Sequence, residues 1–346
     1  MTGYYLGLYH DFTCLASACP MTCCSGWKIV VDPVSRQRYS ELEDPVLRED
    51  IMRHLEEKDG EIVFSHQKEG QCAMLDPDGL CRIQRHLEEH ALCITCRKFP
   101  RLAAQIGEKI WMSMAASCPA VASYLWREPL QWIVQGEKSR SGTQTVCDLE
   151  PVHTAVQQYE EDKQLLDGQR KQALQQPQPY DRLWMYRRRC ERYGYCMDLA
   201  EGVSELLLHF PDRKYLPGSM EFYERMDLGA AQIADTIERF DTAYGGQMEA
   251  FAARYVPYRA FSRYLEYPKE RKTARIRQIY GEMAVFYMMC LSRYAAAGEI
   301  REEQILETLC WVYRFCANGA RLADQVQLFF TQVFSEEKEF VSVWHN

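Results

Sequence analysis

The placement of cysteine is the feature that most constrains how this chain can fold. Of its 15 cysteines, nine fall in the first 118 residues. These nine are Cys14, Cys19, Cys23, Cys24, Cys72, Cys81, Cys93, Cys96 and Cys118. An odd number of cysteines without an export signal argues against a disulfide framework and favours metal binding or catalysis. The remaining six are scattered and are expected to be buried, inert thiols: Cys147, Cys190, Cys196, Cys290, Cys310 and Cys316.

Composition and charge disfavour several classes of function. The net charge of −8 does not favour binding to nucleic acid. The longest apolar stretch, around Met283–Leu291, is too short to cross a bilayer. Residues 1–14 lack the basic and apolar regions of a signal peptide. We therefore expect a cytoplasmic protein with neither a nucleic-acid nor a membrane partner.

The N-terminal third contains several local signals for short elements. Asp32-Pro33 and Asp44-Pro45 each combine a helix N-cap with proline at the first helical position, which predicts helices over 33–43 and 45–58. Residues 1–31 are turn-rich, with one short strand expected at Lys28–Val31. A turn at 76–79 is expected to precede a helix from Leu80 to about His90.

The rest of the chain has helical periodicity. Apolar residues from Ile276 to Tyr294 recur every three or four positions, as do those from Ile305 to Cys316, and Gly298 can end the first helix. Residues 134–180 are polar and glutamine-rich, with one helix expected near 151–173.

These patterns predict a mainly α protein in which a small cysteine-rich metal-binding N-terminal module packs on a helical bundle. The expected limits are 1–130 for the module, 131–180 for a polar linker region with one helix, and 181–346 for an all-helical domain.

The cysteine spacing points to a metal site with several thiolates. Thiolates are soft ligands that select zinc, copper(I) or iron–sulfur clusters. Cys93 and Cys96 have the C-x2-C spacing of a metal knuckle or a redox motif. No histidine stands at zinc-finger spacing, so an iron–sulfur cluster fits somewhat better than zinc, and a four-cysteine zinc site is the alternative. Trp27 can cover such a site and exclude water.

Four motifs resemble the flagellin lysine-N-methylase family. They lie at 12–29 (FTCLASACPMTCCSGWKI), 72–84 (CAMLDPDGLCRIQ), 95–101 (TCRKFPR) and 117–119 (SCP). Their order and approximate spacing agree with the family, and the resemblance is specific over 12–119. The chain also resembles, more loosely, the broader group of zinc- or iron-chelating cysteine-cluster proteins.

The resemblance implies an activity, its cofactors and a ligand set. The activity is transfer of a methyl group from S-adenosylmethionine to lysine side chains of flagellin, with an iron–sulfur cluster present and [4Fe–4S] the expected form. The implied cluster ligands are Cys14, Cys19, Cys23, Cys24, Cys72, Cys81, Cys96 and Cys118. Cys93 stands where a small polar residue is expected, so it is left out of this set.

The residues themselves do not show where S-adenosylmethionine would bind. The chain has neither the Gly-x-Gly of a Rossmann loop nor the Cys-x3-Cys-x2-Cys spacing of radical S-adenosylmethionine enzymes. If cofactor and cluster share one site, Trp27 is a candidate wall, and Arg97 and Arg101 are candidate partners of the cofactor carboxylate. The alternatives are that Trp27 only caps the cluster and that the arginines only neutralise thiolates.

The catalytic residues cannot be assigned from the sequence. The target lysine must lose a proton, and the candidates near the first cysteines are Tyr4, Tyr5, Tyr9 and Asp11. Basic stretches at 187–192 and 269–277 are either solvated helix faces or docking sites for an acidic partner. The alternative to an enzyme is a non-catalytic zinc- or iron-binding scaffold, in which thiolates only hold the fold together.

Overall fold

The computed structural model describes residues 2–67, 70–106, 109–135, 145–146, 230–263 and 269–318. The strands in these ranges are β1 (Thr2–Leu6), β2 (Leu55–Lys58), β3 (Glu61–Phe64), β4 (Arg101–Ile106), β5 (Lys109–Met114), β6 (Trp132–Gln135) and β7 (Thr145–Val146). The α-helices are α1 (Leu8–Asp11), α2 (Pro33–Ser40), α3 (Pro45–Arg53), α4 (Arg82–Leu87), α5 (Ile94–Lys98), α6 (Pro119–Arg127), α7 (Ala230–Arg263), α8 (Lys269–Ala297) and α9 (Glu302–Asn318). Two 3-10 helices span Ala16–Ala18 and Glu89–Ala91.

The two predicted N-caps are confirmed. The Asp32 side chain accepts a hydrogen bond from the Ser35 amide at 2.9 Å, and Asp44 accepts one from the Val46 amide at 2.9 Å. Such caps satisfy amide groups that the first helical turn leaves unpaired. The helix expected over 80–90 is present as α4 followed by the 3-10 helix.

The prediction that the second helix runs to residue 58 was wrong. α3 ends at Arg53, and β2 pairs antiparallel with β3 around Asp59-Gly60. Both turn residues have positive φ, 53° and 76°, as a two-residue hairpin turn of the primed type requires. The strand expected at Lys28–Val31 is reduced to a single bridge between Val30 and Val63.

A five-stranded sheet was not predicted. Its strand order is β4-β5-β1-β6-β7, with β1 parallel to β5 and antiparallel to β6. Residues 1–31 were expected to be turn-rich, with their one strand at Lys28–Val31; β1 was missed, and it lies in the middle of this sheet. Where β1 pairs with β5, the rings of Tyr4 and Trp111 stack with their centroids 4.3 Å apart. This partner is distant in sequence, so short local patterns gave no indication of the pairing.

The C-terminal helices follow the predicted periodicity. α8 contains the whole apolar pattern from Ile276 to Tyr294, and α9 contains the next one. Gly298 has φ of +78° just beyond α8, a left-handed conformation typical of the residue after a helix. The helix expected near 151–173 lies outside the described residues. None of the described helices is long and apolar enough to cross a membrane.

Two clusters of buried side chains form the interior. The first core joins β1, β5 and α6 to α7, α8 and α9, with members such as Leu6, Trp111 and Phe286. The second core lies between residues 29 and 93 and includes Ile29, Tyr39, Phe64, Leu47 and Met74, among others. The described residues are thus mainly helical, with some strands. Because cysteines occur in both cores, the separate module and the three domain limits stay predictions.

Candidate metal-binding thiol clusters

The nine N-terminal cysteines gather in two adjacent sets, and all are free thiols. The inner set packs in or against the second core and consists of Cys24, Cys72, Cys81, Cys93 and Cys96. The outer set lies between the first cysteine loop and the start of α6 and consists of Cys14, Cys19, Cys23 and Cys118. The two sets meet where the thiols of the neighbouring residues Cys23 and Cys24 form a hydrogen bond.

Backbone hydrogen bonds bring three inner cysteines together. The Cys72 amide donates to the Cys24 carbonyl at 2.6 Å, which joins the two cysteine-rich loops. Cys81 forms a bridge with Leu75 across the tight turn of residues 76–79. The loop closed by these contacts is short, so holding its ends together costs little chain entropy.

The other two inner cysteines are carried by α5. Cys93 precedes this helix, and Cys96 lies one turn later, so that their thiols form a hydrogen bond. Two contacts fix the start of the helix against the second core. The Asp32 carboxylate accepts from the Ile94 amide at 2.9 Å, and the Thr95 hydroxyl donates to the Val30 carbonyl at 2.7 Å.

The outer set is tied to the C-terminal helices. Cys118 caps α6 and is a member of the first core. The Arg314 guanidinium of α9 donates to the carbonyls of Thr22 and Ser117, at 3.2 and 3.4 Å. This one side chain therefore connects the loop that carries Cys19 and Cys23 to the segment that carries Cys118.

Neighbouring thiols shift one another's pKa. The hydrogen bond from Cys23 lowers the pKa of Cys24 to about 7, while the pKa of Cys23 rises well above its usual value. The hydrogen bond from Cys96 likewise lowers the pKa of Cys93. Burial raises the pKa of Cys72 to about 12. Several thiolates in such apolar surroundings would repel one another, so their accumulation requires a bound cation.

Three of the cysteines stand at helix N-termini. Cys81, Cys93 and Cys118 are the N-cap residues of α4, α5 and α6. None of these sulfurs makes a well-formed capping hydrogen bond. Burial raises the pKa of Cys81, and that of Cys118 to about 11, and amide groups of the first helical turn that face the two sulfurs offset only part of this rise. At Cys93 the hydrogen bond from Cys96 lowers the pKa, burial opposes it, and backbone amide groups add to the lowering. Amide groups aimed at sulfur also stabilise thiolates that bind metal.

The donor atoms fit a thiophilic metal, although the thiols do not yet surround one point. In the described ranges, no three or more His, Cys, Asp or Glu side chains are positioned to hold a metal ion as they stand. The sulfurs of Cys23 and Cys24, and those of Cys93 and Cys96, instead face each other in pairs. Binding would therefore require side-chain rotation within each set. The chemistry of the set is suited to zinc or an iron–sulfur cluster.

Trp27 lies beside the outer set, where the sequence places it. The side chain is 39% exposed, and its Nε1 donates to the Cys23 carbonyl at 2.6 Å. The Arg101 guanidinium lies over the Phe12 and Tyr9 rings, 5.2 and 5.7 Å from their centroids. Arg97 is exposed on α5. The roles of Trp27, Arg97 and Arg101 in binding a cofactor stay predictions.

The candidate bases near the first cysteines differ in their surroundings. Tyr4 is stacked in the sheet, and Tyr5 packs against the Tyr9 ring. Burial raises the pKa of Tyr9 despite the nearby Arg101, so Tyr9 is protonated at neutral pH and is not primed to accept a proton. Asp11 is exposed at the end of α1. The geometry leaves the catalytic base unassigned.

Some predicted features lie outside the described residues. These are Cys147, Cys190 and Cys196, the basic stretch at 187–192, the side chain of Cys316, and the side chains of the basic stretch at 269–277. Cys290 and Cys310 are buried, as expected for core thiols. Cys310 nevertheless lies close enough to Cys118 and Cys19 for their charges to raise its pKa further, after the larger effect of burial.

Sequence reasoning missed two residues of the clusters. Cys93 is a buried neighbour of Cys96, and its C-x2-C spacing was the signal that could have included it. Arg314 joins the outer set from 292 positions beyond Thr22. No local pattern can reveal such a contact.

The chain is similar in sequence to three curated proteins. The chain is 34% identical over 136 residues to the flagellar biosynthetic protein FliU of Salmonella muenchen, a match that covers 38% of this chain and 80% of FliU. It is 36% identical over 124 residues to the lysine-N-methylases of Salmonella typhimurium and Salmonella choleraesuis, covering 34% of this chain. The chain spans only 31% of the length of these two methylases. No family model and no solved structure matches it.

Proposed function

Because this chain belongs to the flagellin lysine-N-methylase family, we propose that it transfers methyl groups from S-adenosylmethionine to lysine side chains of flagellin. The observation that carries this proposal is the similarity to FliU over most of FliU's length, together with the name of the two methylases. The free thiols fit the reducing conditions of the cytoplasm, where we place the reaction.

The reaction we propose is a polar methyl transfer. The lysine Nζ loses a proton, attacks the methyl carbon and forms a C–N bond, while the C–S bond breaks and S-adenosylhomocysteine leaves. An unperturbed lysine has a pKa of roughly 10.4, so the site must supply a base or a desolvated pocket. The cofactor sulfonium is cationic, and the exposed face of Trp27 can attract it by roughly 0.5–2 kcal/mol.

The metal group that suits the thiols is an iron–sulfur cluster, with [4Fe–4S] the expected form and zinc the alternative. If one iron of such a cluster lacks a cysteine ligand, that iron would hold the amino and carboxylate groups of S-adenosylmethionine. Around it, Arg97 on α5 is free to approach an anionic group because its side chain is exposed. Arg101 is the second proposed partner of the cofactor carboxylate, and its guanidinium also lies over the Tyr9 and Phe12 rings.

Incubating the anaerobically purified protein with unmodified flagellin and methyl-labelled S-adenosylmethionine tests the activity. We expect label on flagellin lysines, located by mass spectrometry of peptides. Trp27→Ala should weaken cofactor binding and Trp27→Phe should largely restore it, because the contact needs an aromatic face. Protein that contains its metal and binds S-adenosylmethionine, yet leaves flagellin unlabelled, would refute the proposed activity.

A second candidate function is a non-catalytic metal-binding scaffold. The burial of Cys72 and Cys93 favours it, because thiols inside an apolar core can hold a fold together but cannot meet a substrate. In that case the protein would bind metal and fold around it without transferring a methyl group to any flagellin lysine. The labelling experiment therefore separates the two candidates.

A further inference from the structure

We propose that the inner and outer thiol sets form two separate metal centres, and that Cys93 is a ligand of the inner one. The proposal rests on metal binding, which is one part of the proposed function. It goes beyond that function by assigning a second centre and a ligand outside the set of eight cysteines that the family resemblance implies.

The number of donors exceeds what one centre uses. A zinc ion takes four protein ligands, and a [4Fe–4S] cluster is likewise held by four cysteines. The outer set has four thiols. The inner set has five, but Cys24 is hydrogen-bonded to Cys23 of the outer set, so the four that belong to the inner centre alone are Cys72, Cys81, Cys93 and Cys96. Each set alone can therefore complete a centre, whereas one shared centre would leave about half of these thiols without metal.

The two sets also belong to different frameworks. The inner set lies in the second core, between the hairpin of β2 and β3 and the helix α5. The outer set is attached to the first core through Cys118 and to α9 through Arg314. A single centre would have to draw both frameworks to one point. Two centres need only local side-chain rotation around Cys23 and Cys24, where the sets meet.

Cys93 differs from an ordinary core thiol in what surrounds it. Cys93 and Cys290 are both 0% exposed. The polar neighbours of Cys290 are Arg293 and Thr308. Those of Cys93 are other cysteines: its thiol is hydrogen-bonded to the Cys96 thiol and lies within electrostatic range of the Cys72 and Cys81 thiols. A buried thiol among other thiols is placed as a ligand, and Cys290 supplies a control of equal burial.

The two centres differ in access. Cys72 and Cys93 are buried, so the inner centre is closed and suited to holding the fold together. In the outer set, Cys14 is exposed and Trp27 lies alongside with much of its ring open to solvent. Solvent therefore reaches the outer centre and does not reach the inner one. The outer centre is therefore the one that S-adenosylmethionine and the substrate lysine can reach.

Metal analysis of the full chain tests the proposal. Wild-type protein reconstituted anaerobically with iron and sulfide, or with zinc, should saturate at the content of two centres. Cys93→Ala should lower that content by about half, whereas Cys290→Ala should keep all of it. Wild-type protein that saturates at one centre, or Cys93→Ala protein with the same metal content as Cys290→Ala, would overturn the proposal.

A surface variant keeps the test decisive if Cys93→Ala does not fold. Cys14 is exposed, so Cys14→Ala should fold and lose only the outer centre, while the electron paramagnetic resonance signal of the inner cluster persists. Loss of both signals together would show one shared centre and overturn the proposal. Wild-type protein without any metal would refute the proposed metal binding itself. If wild-type protein holds one centre and still methylates flagellin, the two-centre assignment is overturned and the proposed function stands.

Discussion

The two cores are built from different materials. The first core brings a five-stranded sheet together with three long helices and is rich in aromatic rings. The ring centroids of Trp126, Phe251 and Phe286, for example, lie 5.0 to 6.3 Å from one another. This core also contains a buried ion pair between Arg259 and Glu282. The second core is smaller, rests on short helices and one hairpin, and includes the inner thiol set.

This difference indicates what each part needs in order to fold. Because the first core is built from many buried apolar and aromatic side chains, we expect it to be stable without a ligand. The second core has little regular structure, and burial makes its thiolates costly unless a metal balances their charge. The free energy of metal binding would then also be free energy of folding. Three predictions test that contrast, from the largest expected effect to the smallest.

Metal removal should affect the two cores unequally. Apparent binding energies of structural zinc sites reach about 10–16 kcal/mol, so a chelator should unfold the second core. Hydrogen exchange measured by mass spectrometry should then show lost protection around Tyr39 and Phe64, with protection retained around Phe251 and Phe286. Equal protection of both regions after complete metal removal would contradict the contrast between the cores.

Glu282→Ala should destabilise the first core by about 3–5 kcal/mol, because it leaves Arg259 buried without its partner. Both side chains are 0% exposed, and the guanidinium donates to the two carboxylate oxygens at 2.6 Å. Denaturant unfolding measures the loss. Glu302→Ala is the control, since it removes an exposed ion pair with Arg127 and should cost at most about 1 kcal/mol.

Metal content should not change in either of these variants. Equal destabilisation by the two substitutions would mean that the buried pair contributes no more than a surface pair. Metal loss from Glu282→Ala protein that remains folded would show that the two cores are not independent.

Asp32→Ala should have the smallest effect on stability, about 1 kcal/mol, through the loss of the α2 cap. Burial alone would raise the pKa of Asp32, but hydrogen bonds from Ile94 and Ser35 lower it to about 2, so the carboxylate is charged at neutral pH. Because Asp32 also holds the start of α5, the variant should lose metal to a chelator faster than wild type. Asp44→Ala removes a comparable cap without touching α5. Identical rates of metal loss in the two variants would contradict the positioning role of Asp32.

Local signals explain which parts of the fold were predictable. The caps at Asp32 and Asp44 and the periodicity of α8 involve neighbouring residues, so the presence of those three helices was predicted correctly, although the end of the helix at Asp44 was not. The hairpin at Asp59-Gly60 also has a local turn signal, but the preceding residues continue a helical pattern that masks it. The five-stranded sheet has no such local signal, because β1 pairs with β5, a strand more than 100 positions away.

The candidate site was predictable to a similar extent. The family resemblance implies eight cysteine ligands, and each of the eight lies in one of the two thiol sets. The division into sets was not predictable, because it follows from tertiary contacts such as those of Asp32 with Ile94 and Arg314 with Ser117. The position of Cys93 depends on the same contacts.

Iron and acid-labile sulfide in anaerobically purified wild-type protein test the central claim most directly. The account predicts brown protein that contains both, with a visible absorption band and, after reduction, an electron paramagnetic resonance signal. Colourless protein with stoichiometric zinc and no iron would contradict the iron–sulfur assignment while keeping the thiols as ligands. Metal-free protein whose second core is nevertheless folded would contradict the claim that these thiols bind metal.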